Sequence, residues 1–452
     1  MCMLSKQGDG EYQSFDGEYQ SSSKKSIMKQ RIISMLAVAT MMMGASAQGT
    51  ERTKADVGGF FFGDSLKLDS MYNYWNDFVT QHPNDEIAWR NLFDVSESKV
   101  YQMLNQRMQH SERPRNLRAV EDYRKQLNVV GRMEKAIPGT YTFYYSAYMG
   151  GYKPEVPEGT DVTTLFMHTE AYADSAIAKL PDDSWADDYD LWIQHLIPKR
   201  DTVRLTRLLT RYYESGQYPE EALQYHFNEL QGMDEGAVYI APNPGEIIGK
   251  LILQHVLGVH RDKILYDEDA AMDRDYVKDV FGHIGIPFDE SVWNDQLHAT
   301  MWQDKTLRAI MQYIFDHSKR PVYLSAHDMW LYTLGQGLSD ELKACLYNEG
   351  LTMHYSAKPY DNRSVKRRNI EQRYRLEYLR MPFHPEIKNT QRFSGSTDGY
   401  AMNYLRLLRD QLPYYKQHKP ERYQWLNDIF RDIISQLEKK NYDVDEFKDY
   451  LK

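Results

Sequence analysis

The chain has 452 residues, 42% hydrophobic and 27% charged, with a formal net charge of −10 and a pI near 5.8. That length holds two or three domains with cores of their own, the composition is globular, and the acidic balance argues against a nucleic-acid binder, which carries a strongly basic face. The 35 tyrosines and 8 tryptophans can serve either helix packing or recognition.

In chain order, the first feature is an apolar run. Lys24, Lys25, Lys29 and Arg31 precede Ile32 to Met43, and Ala45-Ser46-Ala47-Gln48 follow. A basic region, a short apolar region and a small-x-small site are the parts of a secretory signal peptide. The run is shorter than the roughly 20 residues a membrane span needs. Residues 28–47 therefore read as a signal peptide cleaved after Ala47, giving a periplasmic or extracellular chain that is not membrane-spanning after cleavage. Residues 1–27 carry a short direct repeat, Asp9 to Ser14 and Asp16 to Ser21, and read as a non-native extension ahead of a start at Met28. The mature chain keeps one cysteine, Cys345, in the helical-looking stretch Leu342 to Tyr347. A buried inert thiol is expected there, since no basic partner is adjacent.

Residues 69–230 read as helices. Tyr72, Trp75, Phe78 and Val79 form an amphipathic stripe, and Pro83-Asn84-Asp85-Glu86 supplies a turn and cap before the helix bearing Trp89. A similar phrase recurs at Ala173 to Trp192, and a third hairpin runs from Leu208 through Tyr212, Tyr213, Gly216 and Tyr218 to Ala222 and Tyr225. That hairpin resembles a tetratricopeptide repeat, with Pro219 adding one residue and the copies unevenly spaced. The resemblance implies an irregular helical-repeat domain; Trp89, Tyr212, Tyr213 and Tyr218 are its candidate binding residues.

Near Met233 the texture changes. Ala237 to Ala241, Lys263 to Tyr266 and Pro321 to Ala326 are strand-like, with helical stretches at Glu246–Leu257, Arg274–Phe281 and Lys305–His317. Strands alternating with helices predict βαβ units and a mostly parallel sheet, so residues 233–360 read as a small α/β domain and 361–452 as a C-terminal helical region. The expected fold class is α+β, mostly α. Gly236 to Ile240, the segment Leu253 to Asp262, and Lys305 through Leu324 to Leu351 together resemble the soluble extracytoplasmic region of bacterial multi-spanning glycosyltransferase-like proteins, related to protein O-mannosyltransferases. In that family an acidic loop follows the first strand; here Pro242-Asn243-Pro244-Gly245-Glu246 keeps only one acid. The resemblance implies a detached soluble module.

Candidate chemistry is thin. Asp267, Glu268, Asp269, Asp273 and Asp275 follow a strand, where α/β sheets place ligand sites, yet they read best as an acidic helix N-terminus. His327 and Asp328 follow the third strand without a Gly-x-Ser-x-Gly elbow. His255 and His260 have poor metal spacing, and Lys366-Arg367-Arg368 reads as a solvated loop or partner contact. The weak catalytic candidates are Glu246, Asp269, His327 and Asp328; no metal and no cofactor is expected. The first reading is a non-catalytic binding or accessory module for an envelope peptide, protein or glycan. The alternative is a cell-envelope hydrolase or transferase-related enzyme using acids of the α/β region.

Overall fold

The computed structural model describes residues 65–108, 113–152, 170–241, 244–290, 292, 304–326, 340–380 and 391–451. The expected signal peptide and the preface before it lie outside these residues. Two compact units meet in sequence at Ser184 and Trp185.

The first unit is helical: α1 (Ser65–Gln81), α2 (Glu86–Met108), α3 (Arg113–Leu127), α4 (Val129–Ala136), α5 (Tyr141–Met149) and α6 (Glu170–Lys179). The expected cap before α2 is present, with Asp85 Oδ1 accepting from Ala88 N at 3.0 Å. Thr140 does the same for α5 through Phe143 N. Both satisfy N–H groups that a helix cannot pair internally. Leu68, Val79, Leu92, Phe93 and Val95 are buried, and the Arg90 guanidinium lies 3.4 Å from the centre of the Tyr145 ring.

The second unit begins with α7 (Ala186–Lys199), α8 (Thr202–Glu214) and α9 (Glu220–Gly232). Strand β1 (Val238–Ala241) leads into α10 (Pro244–Leu251), which loosens into a π-turn over Ile252–Val256. Then come β2 (Ile264–Asp267), α11 (Arg274–Ile284), α12 (Asp304–His317), β3 (Val322–Ser325), α13 (Asp340–Lys343), β4 (Leu346–Asn348) and β5 (Thr352–Tyr355). Helices α14 (Asn362–Arg368), α15 (Gln391–His418), α16 (Pro420–Lys439) and α17 (Asp445–Lys448) follow. The sequence boundary expected near residue 233 is not where the units divide: α7, α8 and α9 belong with the sheet. Helix α8 packs on α7 and on the π-turn, while α9 packs on α10 and α15.

The sheet order is β2-β1-β3-β5-β4. Strand β1 is parallel to β2 and β3, as the βαβ reading requires, but β5 runs antiparallel to both β3 and β4. The sheet is therefore mixed, and the mostly parallel expectation is corrected. The cause is a tight hairpin at Glu349-Gly350-Leu351 in a stretch whose first half reads as helix. Its register lines up Tyr347, His354, Tyr323, Tyr239 and Leu265 across all five strands, and registered partners share a face. Tyr323 and His354 stack along that row at 4.6 Å.

Two further expectations change. Cys345 sits at the mouth of β4 and is half-buried instead of enclosed in a helix. Lys366, Arg367 and Arg368 lie on α14 and have protein partners: Asp410 at 3.2 Å, the Tyr414 ring at 4.4 Å and Asp234 at 3.6 Å.

Gly350 adopts φ +125°, and an added Cβ would stand 2.5 Å from the Tyr374 hydroxyl. That hydroxyl accepts from Leu351 N at 3.2 Å. Gly350→Ala should therefore lower unfolding free energy by about 2–3 kcal/mol, read from denaturant midpoints at unchanged slope.

Candidate functional site

The densest polar constellation among the described residues lies where α9, β1 and α10 meet. His226 and Glu229 are three apart on α9, and Glu246 and Lys250 are four apart on α10, so each pair shares a helix face. All four are enclosed, with Lys250 at 0% exposure. The Lys250 ammonium has three N–H donors. Two go to Glu229 Oε2 at 2.6 Å and the Glu246 carbonyl at 2.8 Å. The third faces His226 Nδ1 at 2.9 Å and Glu246 Oε2 at 3.2 Å.

Sheet and C-terminal helix complete the enclosure. The Tyr239 hydroxyl lies between the carboxylates, 3.2 Å from Glu229 Oε1 and 3.1 Å from Glu246 Oε2, and its ring lies under the ammonium at 4.2 Å. Ser325 Oγ reaches Glu229 Oε1 at 3.5 Å, and Tyr400 from α15 meets His226 Nε2 at 3.4 Å. Tyr400 in turn stacks on Tyr225 at 4.1 Å. Burial first, and the nearby Glu246 charge next, hold the Tyr400 phenol well above its ordinary range, so it stays neutral. Close approach depends on Gly249, where a Cβ would come within 2.3 Å of both His226 Cδ2 and the Tyr218 hydroxyl.

His226, Glu229 and Glu246 offer one imidazole nitrogen and two carboxylate oxygens within 4.8 Å of one another, a donor set suited to a divalent cation. Zinc needs such atoms at about 2.0–2.2 Å. Lys250 already stands among them at 2.6–3.2 Å, so the protein's own ammonium takes the cation's place.

The expected site residues scatter. Glu246 belongs to this cluster, paired under cover. Asp269 lies past the end of β2 and reaches solvent, its N–H donating to Asp267 Oδ1 at 3.0 Å. His327 and Asp328 fall outside the described residues. Tyr212 stacks on Tyr189 at 4.8 Å and Tyr218 sits edge-on to Tyr212 at 5.4 Å, both buried. Trp89 is buried too, with Nε1 donating to the Pro83 carbonyl at 2.8 Å. These three rings pack the core; Tyr213, at 36% exposure, is the one of the four that faces solvent. Asp273 caps α11 through Tyr276 N at 2.9 Å, as the acidic helix-start reading required. His226, Glu229, Tyr239 and Lys250 were not singled out from sequence. Their signal is only helical spacing, which solvent-exposed pairs share.

Asp267, outside that cluster, is a buried acid with a raised carboxyl. Burial first, then the Asp269 charge, push its carboxyl up to about 8. Burial raises Asp269 as well, although its side chain touches solvent.

Compared with known proteins, the chain matches no family model, no curated protein and no solved structure.

Lys250→Met would leave two buried carboxylates without their cation, and should cost about 3–5 kcal/mol of stability. Glu246→Gln, which spares the Lys250–Glu229 pair, should cost about 1 kcal/mol. Thermal and urea unfolding of the two variants checks this order.

Asp267 also sets a pH dependence. The unfolded carboxyl titrates near 4 and the folded one at about 8, so between these values the folded state holds a proton that the unfolded state has lost. Stability conferred by that proton is complete below the lower value and disappears as pH rises through the upper one. Asp267→Asn should remove a slope of roughly 1 kcal/mol per pH unit in that window, measured as urea midpoints from pH 4 to 9.

Proposed function

We propose that the chain is an exported, non-catalytic accessory module that binds an envelope partner, a peptide, protein or glycan. In this reading the signal segment is removed after Ala47. One observation carries the non-catalytic part: the acid and base groups gathered on α9 and α10 are satisfied by one another under cover. Glu246, Glu229, His226 and Lys250 are all buried. Catalytic groups need reach to a substrate atom, and these are engaged with their neighbours. Among the described residues no helix is long and apolar enough to cross a membrane, which fits a module working beside the membrane machinery of the family it resembles. In this reading the strand, helix end, turn and later strand of the resemblance are β1, the π-turn after α10, the bend before β2, and β3.

Recognition is then a property of the outer helix surface. Tyr213, exposed at the end of α8, is the aromatic anchor in this proposal, since exposed rings commonly dominate protein recognition.

The test is complementation of a strain lacking the gene, at matched protein levels. Glu246→Gln is expected to support growth like the parent chain, and Tyr213→Ala to impair it with an unchanged melting temperature. Loss of function in Glu246→Gln at normal abundance, with Tyr213→Ala unaffected, would move the chain to the enzyme class.

A further inference from the structure

The helical unit contains a cavity of about 230 Å³ bounded by α2, α3, the start of α4 and the turn after α5. It shares no residue with the buried cluster, and its chemistry is independent of the accessory-module reading. Its floor is apolar, made by Phe93 and Val129, both buried. Its wall is charged. Glu97 on α2 and Arg124 on α3 form a two-pronged ion pair, with Nε to Oε1 at 3.0 Å and a second bond from Nη2 to Oε2. Their side chains are only 9% and 18% exposed. One turn earlier on α3, Glu121 pairs with Lys125 at 3.3 Å, and both line the same cavity.

Two carboxylates and two cations thus border one small apolar hollow. A lone anion would meet Glu97 and Glu121, and a lone cation would meet Arg124 and Lys125; each gains from one pair and is repelled by the other. A molecule carrying both charges a few ångströms apart satisfies both sets. Size narrows the class further. At about 30 Å³ per water the cavity displaces on the order of eight waters, below the volume that drug-sized ligands occupy. We propose that this cavity binds a small zwitterion of the α-amino-acid type. Its carboxylate faces Arg124 and Lys125, its ammonium faces Glu97 and Glu121, and its side chain rests on Phe93 and Val129.

The test uses the full chain, titrated calorimetrically with glycine, L-leucine and L-phenylalanine. It also uses two singly charged analogues of leucine, 4-methylpentanoate and 3-methylbutylamine. At least one of the amino acids should bind saturably, with Kd at or below roughly 1 mM. For leucine, each half-charged analogue should be weaker by about tenfold or more. Lys125→Glu, at an exposed position whose change spares the Glu97–Arg124 pair, should weaken amino-acid binding by about tenfold with no change in melting temperature. Absence of saturable binding by all three amino acids would overturn the proposal. So would analogues that bind as tightly as leucine, or a Lys125→Glu variant that binds like the parent.

Discussion

A lysine held between two carboxylates inside a protein is a constraint before it is a source of stability. Removing Lys250 and Glu229 from water costs several kcal/mol for each ion, and their attraction recovers this only when every remaining donor and acceptor is matched. The surrounding structure is arranged around that requirement. Helix α9 supplies His226 beside Glu229, β1 places Tyr239 between the carboxylates, and the backbone of α10 lends the Glu246 carbonyl. From α15 comes Tyr400, which covers the imidazole. The cluster explains why α9 joins the sheet: cutting at residue 233 would part Glu229 from its ammonium.

The same logic extends along the sheet. The row Tyr239, Tyr323 and His354 carries polar tips on apolar bodies, and each tip finds a polar partner. Tyr239 reaches Glu229 and Glu246, while the Tyr323 hydroxyl accepts from Asp234 N at 3.4 Å. His354 Nδ1 lies 3.3 Å from Glu349 and 3.0 Å from the Tyr360 hydroxyl. Aromatic rings across neighbouring strands stabilise a sheet by packing, and their hydroxyls choose the register by finding partners. A slip of one residue would turn every ring to the opposite face.

Much of this architecture was legible from local pattern. The apolar runs at Val238 to Ala241 and Val322 to Ser325 are strands, the periodic stretch before His317 is a helix, and Asp85 and Asp273 cap helices where their spacing said they would. What failed was of two kinds. Strands β4 and β5 carry Asn348, Thr352 and His354 and lack the apolar run that marks β1 and β3, and the Leu342 to Tyr347 stretch imitates helical periodicity. The buried cluster was hidden for a different reason. Glu246 and Lys250 spaced by four, and His226 and Glu229 by three, read as ordinary pairs on a wet helix face. Only the convergence of two helices on one strand shows that they face each other, and single-sequence patterns do not encode which faces meet. The tyrosines misled in the converse direction: Tyr212 and Tyr218 carry the composition of a recognition surface and are spent on core stacking.

Tyr400 has a consequence for the order in which the molecule can be completed. The groups it covers lie on α9 and α10, and the chain between them and α15 includes four of the five strands and the mixed sheet's closing hairpin. Contacts so distant along the chain slow the approach to the native state, because long loops must close before they are rewarded. A polypeptide emerging from its N-terminal end therefore holds two carboxylates, an imidazole and an ammonium that remain open to water until α15 has been made. Completion of the second unit is gated by its last third, and a chain ending before Tyr400 would have its charged centre assembled without a roof.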